Sequence, residues 1–154
     1  MIRGKAWKFG DDINTDVMTH GGVEHCLEEV DPDFPKKLKP GDVVVAGRNF
    51  GCGSSRQSAP ENLRHLGVGC VIASSFARIF LRNAINIGLP VVECPQAAGD
   101  IDAGDTVEID IDSGKIKDLT KNKEYQASAF PQFMRAIIAD GGLINYARKK
   151  LGVA

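Results

Sequence analysis

The chain has 154 residues, 43% hydrophobic and 25% charged, which is enough for one domain with a substantial core. Nineteen basic against twenty acidic residues leave a net charge of −1, and aromatics make up only 6%. That balance excludes a general field for nucleic acid or an anionic membrane, and the aromatics are too sparse for a single-strand stacking groove.

No apolar run approaches the roughly 20 residues of a membrane span, and Met1-Ile2-Arg3-Gly4-Lys5 lacks a secretory apolar stretch, so a cytoplasmic protein is expected. Cysteines stand at positions 26, 52, 70 and 94 with no C-x-x-C spacing, so no metal site, zinc or self-contained iron–sulfur, is expected in this chain. They read as reduced, mostly buried thiols; Cys52, between two glycines, is the exception.

Residues 3–9 alternate, with Lys5, Trp7 and Phe9 against Ala6 and Lys8, and predict a first strand. Gly10 to Asp16 is a polar turn without the acid spacing of an EF-hand, and reads as a capping loop or a loop lining a cleft. Val23, Leu27 and Val30 have helical spacing and predict an amphipathic helical piece. His20 and His25 stand five apart, off a shared helix face, and read as solvated or loop-stacked rather than as a metal pair. Asp31-Pro32 and Phe34-Pro35 are expected to break any helix there.

Lys39-Pro40-Gly41-Asp42 has turn composition, and Val43 to Ala46 reads as a buried strand. Ser58-Ala59-Pro60-Glu61 resembles a capping box opening a helix that buries Leu63 and Leu66 and ends at Gly67. Val68 to Ala73 is a second strand. Ser74 or Ser75 is expected to cap a helix through Phe76, Ile79, Phe80 and Ile85, ended by Gly88, before a strand at Leu89 to Glu93. Two strand–helix–strand units in succession predict a right-handed parallel α/β core.

Beyond residue 95 the pattern changes. Val107 to Ile111 and Lys115 to Lys117 flank Asp112-Ser113-Gly114 as a half-exposed β-hairpin, and Lys121-Asn122-Lys123 makes another turn. A helix starting at Ser128 or Pro131 carries Phe133, Met134, Ile137 and Ile138 and closes at Asp140-Gly141-Gly142. A final amphipathic helix, Leu143 to Leu151, places Arg148, Lys149 and Lys150 at its C-terminal end, as its dipole favours. No repeat interrupts residues 1–154, which read as a single domain.

The stretch with chemistry in it is Asn49-Phe50-Gly51-Cys52-Gly53-Ser54-Ser55-Arg56. It lies between a strand and a helix whose N-terminal dipole favours an anion. Gly51 and Gly53 permit backbone shapes closed to other residues, Ser54 and Ser55 add hydroxyls, and Arg56 adds a planar guanidinium suited to carboxylate or phosphate. No Gly-Lys-Ser/Thr makes it a P-loop, Arg56 replaces the third glycine of a dinucleotide fingerprint, and Ser54 lacks the trailing glycine of a nucleophile elbow. A tight turn with capping serines remains one reading. The other makes Ser54 a proton-abstracting base, its alkoxide stabilised by backbone N–H groups and Arg56. That needs a strongly positive environment, which points to a partner.

Three motifs together resemble the 3-isopropylmalate dehydratase small subunits, the separate-chain version of the aconitase swivelling domain. They are Asp11-Asp12-Ile13-Asn14-Thr15-Asp16, the glycine–serine stretch 49–56, and Ser75-Phe76-Ala77-Arg78-Ile79-Phe80 with Arg82-Asn83-Ala84-Ile85-Asn86-Ile87-Gly88-Leu89-Pro90. The resemblance covers essentially the whole chain. It implies a swivelling β/β/α domain, with a parallel α/β core plus β-hairpins. The implied activity is a hydro-lyase on a hydroxy di- or tricarboxylic acid, active only with a large subunit that holds a [4Fe–4S] cluster. Ser54 would be the base, Ser55 and Arg56 would bind a substrate carboxylate with it, and Asp16 would line the cleft. Isopropylmalate as substrate would place the protein in leucine biosynthesis.

The chain departs from that pattern after Asp16. Family members continue with a longer loop bearing an arginine; here residues 17–38 hold none, and the loop is about ten residues short by the usual measure of loop length. Gln57 stands where Glu is common. Homoaconitate, dimethylmalate or another substituted malate are therefore alternative substrates. Two other classes stand beside this one: a non-catalytic anion-binding module using the same loop, and a metal-binding protein using Asp11, Asp12, Asp16, His20 and His25.

Overall fold

The computed structural model describes residues 1–127 and 132–152. Apolar residues on both faces of two short runs, Val43–Ala46 and Cys70–Ala73, make every position of those strands buried. Such strands belong in a parallel sheet covered on both sides. They are β2 and β3, and with β1 (Ile2–Lys8) and β4 (Val91–Glu93) they form the parallel half of one sheet. The antiparallel half is β5 (Thr106–Asp110), β6 (Lys115–Asp118) and β7 (Lys123–Gln126). The sheet order is β4-β3-β2-β1-β5-β6-β7, with β1 the junction between the halves.

The helices in chain order are α1 (Thr15–Thr19), α2 (Phe34–Lys37), α3 (Ser58–Leu66), α4 (Arg78–Asn86), α5 (Pro95–Asp100), α6 (Gln132–Ala139) and α7 (Leu143–Lys150). On one face of the parallel half, Val44, Ala46, Val71 and Val91 pack with Leu63 of α3 and Phe80, Ala84 and Ile85 of α4. Phe34 is fully buried there and meets Trp7 and Phe9 edge-on, with centroids 5.6 and 5.3 Å away. The opposite face gathers Val43, Val45, Ile72 and Val92 with Ile101, Val107, Ile109 and Ile116. α3 and α4 connect β2 to β3 and β3 to β4, so the two expected strand–helix–strand units are present. The α/β class with a parallel core and an added hairpin holds.

Several local expectations are corrected. Val23 to Val30 is not an amphipathic helix: it holds one 3-10 turn, Val23–His25, and Leu27 takes φ 60°. Leu27 N–H bonds the Val17 carbonyl at 2.8 Å, a tertiary contact that overrides the helical spacing. Phe34-Pro35 does not end helicity but opens α2, because proline fits a first turn whose N–H groups have no partner. Ser58 is the first helical residue of α3 rather than a cap, and neither Gln57 nor Ala77 caps its helix through a side chain. The Ser75 hydroxyl instead accepts from Asn49 N–H at 2.8 Å. Gly67 ends α3 in the left-handed conformation, as expected. α5 and β7 extend beyond what the sequence indicated. The helix start expected at Ser128 or Pro131 lies outside the described residues, as does the Phe133 side chain.

Candidate active site

Parallel strands deliver their following loops to one edge of the sheet, where clefts form at the carboxyl ends. Here three such loops meet. Residues 9–14 leave β1, residues 47–57 leave β2 and residues 74–77 leave β3. Backbone bonds tie them together: Gly51 N–H to Ile13 O (2.7 Å), Thr15 N–H to Cys52 O (2.9 Å), Phe50 N–H to Ser75 O (3.0 Å) and Ala77 N–H to Phe50 O (2.9 Å). Glu93, ending β4, accepts from Phe76 N–H at 3.1 Å and braces the third loop.

The glycine–serine stretch sits between these supports. Gly51 has φ 85°, and a Cβ on it would lie 2.2 Å from Cγ of Phe80, so both the backbone and the packing require glycine. Phe80 is itself buried against Phe50, edge-on at 5.2 Å. The turn is therefore anchored from below by aromatic packing. Above it, the Thr15 hydroxyl donates to the Ser54 carbonyl at 2.8 Å and fixes the peptide that presents the two serines.

What the loop presents is open. Ser54, Ser55 and Arg56 are exposed. Among the described residues, neither serine hydroxyl has a hydrogen-bond partner, and the N–H groups of Gly53 to Gln57 donate to no acceptor. Five unpaired N–H groups run directly into the N-terminus of α3, which is an anion-binding arrangement. Asp16, in the first turn of α1, lies beside them: its Oδ1 is 3.3 Å from Nε of Arg56. All four residues expected at the site from sequence are thus brought to one place. A cavity of about 200 Å³ opens there, lined by Ser54, Ser55 and Arg56 together with Thr15, Arg78 and Asn83. Sequence reading did not single out Thr15, Arg78, Asn83 or Glu93. Only the sheet order brings them to the loop, although the motif containing Arg78 and Asn83 was visible.

The rival metal cluster is not assembled. Asp11 accepts from Arg48 N–H (2.7 Å), and that backbone bond, with the Arg48 guanidinium beside it, holds its carboxyl below the ordinary range. His20 pairs with Glu29 at 3.1 Å and His25 with Glu28 at 2.7 Å, both at the surface. Among the described residues no three His, Cys, Asp or Glu side chains converge on a metal position. Cys26, Cys70 and Cys94 are buried, and Cys52 is half-buried beside the loop. Burial pushes the Cys26 thiol up to about 12 and the Cys70 thiol higher still.

A mixed sheet whose parallel edge presents hydroxyls, an arginine and unpaired N–H groups defines a small α/β domain with one open, donor-rich face. Residues 7–97 match the family model of the aconitase C-terminal domain, and the chain belongs to that family. Within it the chain is similar to separate dehydratase small subunits. The 3-isopropylmalate dehydratase small subunit of Clostridium beijerinckii is 53% identical, with 97% of this chain and 99% of that one covered. The 2,3-dimethylmalate dehydratase small subunit of Eubacterium barkeri is also 53% identical, with 94% of each covered. The crystal structure of 3-isopropylmalate dehydratase from Methanocaldococcus jannaschii superposes with a TM-score of 0.90 at 44% identity, covering 97% of this chain and 95% of that one.

The first of these alignments spans 159 positions while covering 97% of 154 residues, which leaves about ten positions without a residue here. A deficit of similar size separates the chain from the dimethylmalate relative. Both alignments thus leave a similar number of positions unmatched, which does not favour one of these two relatives over the other.

Proposed function

We propose that the chain is the small subunit of a heteromeric hydro-lyase acting on a hydroxy dicarboxylic acid. The observation that carries this reading is the open loop: two unpartnered hydroxyls, five unpaired N–H groups and Arg56 on one rigid turn. Nothing in a purely structural turn calls for leaving so many donors unsatisfied. Dehydration removes a proton from the carbon next to a carboxylate and a hydroxide from the adjacent carbon. The C–H electron pair becomes the new double bond, and the reverse step returns water.

In this reading Ser54 takes the proton as an alkoxide, stabilised by the N–H groups at the start of α3 and by Arg56. Ser55 and Arg56 hold the substrate carboxylate, a bidentate match for the guanidinium. Asp16 orients Arg56 through the 3.3 Å contact. The fixed Ser54 peptide, held by Thr15, keeps the base from drifting away from the proton.

A [4Fe–4S] cluster requires several thiolates around one position. The cysteines of this chain do not fit it: three are buried, and burial keeps Cys26 and Cys70 protonated. The reading accordingly assigns the cluster to the large subunit, where it would act as Lewis acid on the departing hydroxyl. The chain contributes the anion-binding half of a shared site.

Isopropylmalate is the first-choice substrate, which would give the complex a role in leucine biosynthesis, and a cytoplasmic location is part of the same proposal. Among the described residues no helix is long and apolar enough to cross a membrane. Dimethylmalate is the second reading, because a relative named for it is as similar, at 53%, as one named for isopropylmalate. The test is turnover by the complex reconstituted with a large dehydratase subunit, on 3-isopropylmalate, 2,3-dimethylmalate and homoaconitate. Efficient turnover of isopropylmalate is expected. Turnover of another acid alone would replace the first-choice name, and failure of the two chains to associate would leave an anion-binding module.

A further inference from the structure

Arg78 is the first residue of α4, exposed, and part of the lining of the same cavity as Ser54, Ser55 and Arg56. Among the described residues it has no ion-pair or hydrogen-bond partner. Its position is unfavourable for a cation on three counts. It stands at the positive end of the helix dipole, where an anion is preferred. No acid occupies the first turn of α4, and Ala77 supplies no side-chain cap. Arg82 follows at the like-charged i+4 position, which is also exposed and without a partner among the described residues.

The rest of the cavity makes matters worse for a lone arginine. Its lining includes two arginines and no acidic residue. Asp16, the nearest acid in contact with either, is already engaged by Arg56. A cation kept where helix dipole, like charge and missing counter-ion all oppose it is explained by a ligand that brings the negative charge.

We infer that Arg78 is a second carboxylate-binding residue of the site, Arg56 and Arg78 each taking one carboxylate of a dicarboxylic ligand. This deepens the hydro-lyase reading and rests on it for the reaction, but not for the binding. The two arginines differ in how they are held. Arg56 is oriented by Asp16, and it keeps a fixed pose beside the base. Arg78 has no such tether, so it adapts to the distance between the two carboxylates. It therefore acts as the contact for the distal carboxylate, and its side chain sits next to Ile79, an apolar residue 51% exposed at the cavity rim. A carboxylate beside an alkyl group is the ligand this pairing fits.

The experiment uses the reconstituted complex with the Arg78→Gln, Arg78→Lys and Arg82→Gln chains. Steady-state kinetics are measured on the preferred malate, and malonate and acetate are titrated calorimetrically. Arg78→Gln should raise KM about 10- to 100-fold with a much smaller change in kcat, the effect of losing one charge-assisted contact. Arg78→Lys should recover part of that loss, since it restores charge without the planar fork. Malonate binding should weaken by a similar factor while acetate binding is unchanged, and Arg82→Gln should behave as wild type. An unchanged KM and malonate affinity in Arg78→Gln, or equal weakening of malonate and acetate, overturns the assignment. Absence of turnover in the wild-type complex overturns the hydro-lyase reading alone, because the malonate-to-acetate comparison still decides for or against Arg78.

Discussion

The two ends of the single sheet treat their charges in opposite ways. At the parallel edge, Ser54, Ser55 and Arg78 have no partner among the described residues, and Arg56 has one exposed contact. In the antiparallel half, beside β5 to β7, charges are closed on one another. Lys121 Nζ lies 2.8 Å from Asp102 and 3.6 Å from Asp105 and donates to the Asp100 carbonyl; Tyr125 donates to Asp100 at 2.6 Å; Lys8 donates to the Ile101 carbonyl at 2.6 Å. Asp118 is fully buried, its Oδ1 accepting from Lys121 N–H at 3.2 Å. Its Oδ2 has no hydrogen-bond partner, so the buried carboxyl is better accommodated protonated than charged. Burial, reinforced by Asp105, accordingly pushes the Asp118 carboxyl up, while the bond from Asp118 holds Asp105 down. The closed network joins β1, α5 and the hairpin and supports the fold. The open one leaves its binding capacity for something outside the chain.

The largest expected effect belongs to the open end. Ser54→Ala should lower kcat of the reconstituted complex by about 10²- to 10⁴-fold, the usual contribution of a positioned base. Its melting temperature should barely move, because an exposed, unpartnered hydroxyl stabilises nothing. A variant that kept full turnover would sink the base assignment. Next is Gly51→Ala, which separates the open side chains from the rigid backbone beneath them. With φ 85° and a 2.2 Å approach to Phe80, it should lose about 2–4 kcal/mol in urea denaturation. Wild-type stability would mean that the turn is as loose as its side chains.

At the closed end the comparison is sharpened by pH. Asp118, with a raised folded-state pKa, contributes stability below its unfolded value that is lost as pH rises toward the folded one. Asp105, with a lowered pKa, contributes stability at neutral pH that is lost as pH falls. Asp118→Asn, which imitates the protonated acid, should therefore be near wild type in acid, gain on it as pH rises from the unfolded to the folded pKa of Asp118, and keep a constant lead above that. Asp105→Asn should be less stable than wild type by about 1–3 kcal/mol at neutral pH, since it removes the charge that strengthens the bond from Asp118 and pairs with Lys121, leaving only a neutral amide oxygen as acceptor. Matching denaturation curves for both variants across pH would show that the two carboxyls do not share a proton.

How much of this was visible in the sequence follows the same division. β2 was legible because Val43 to Ala46 is apolar at every position, a pattern that only burial on both faces explains. The loop 49–56 was legible because its chemistry is contiguous. Thr15 and Arg78 were not, since each enters the cavity from the end of a different strand, and only the order β3-β2-β1 puts them together. The Asp105–Asp118 pair gave no signal: the residues stand thirteen apart, and the register of β5 with β6 decides their meeting. Val23, Leu27 and Val30 misled in the other direction. Leu27 is fully buried and Val30 is 45% exposed, so their common spacing does not describe a common face.

The smallest expected effect is the most discriminating about the open end. Asp16 and Arg56 have side chains 68% and 48% exposed, and a pair so wet contributes little to stability, about 0–1 kcal/mol at most. If its purpose is to aim Arg56, Asp16→Asn should leave urea denaturation within about 0.5 kcal/mol of wild type while raising KM about 2- to 5-fold. The rise should be the same for every acid in the substrate panel, because Arg56 meets the carboxylate that all of them carry. A loss that depended on the alkyl substituent would instead make Asp16 a contact for the variable part of the substrate, and the division between aimed and adaptable arginines would fail. The amide still offers Oδ1 to Nε of Arg56, so the rise measures the charge of the pair rather than its geometry. Asp16→Ala removes both, and its KM should exceed that of Asp16→Asn.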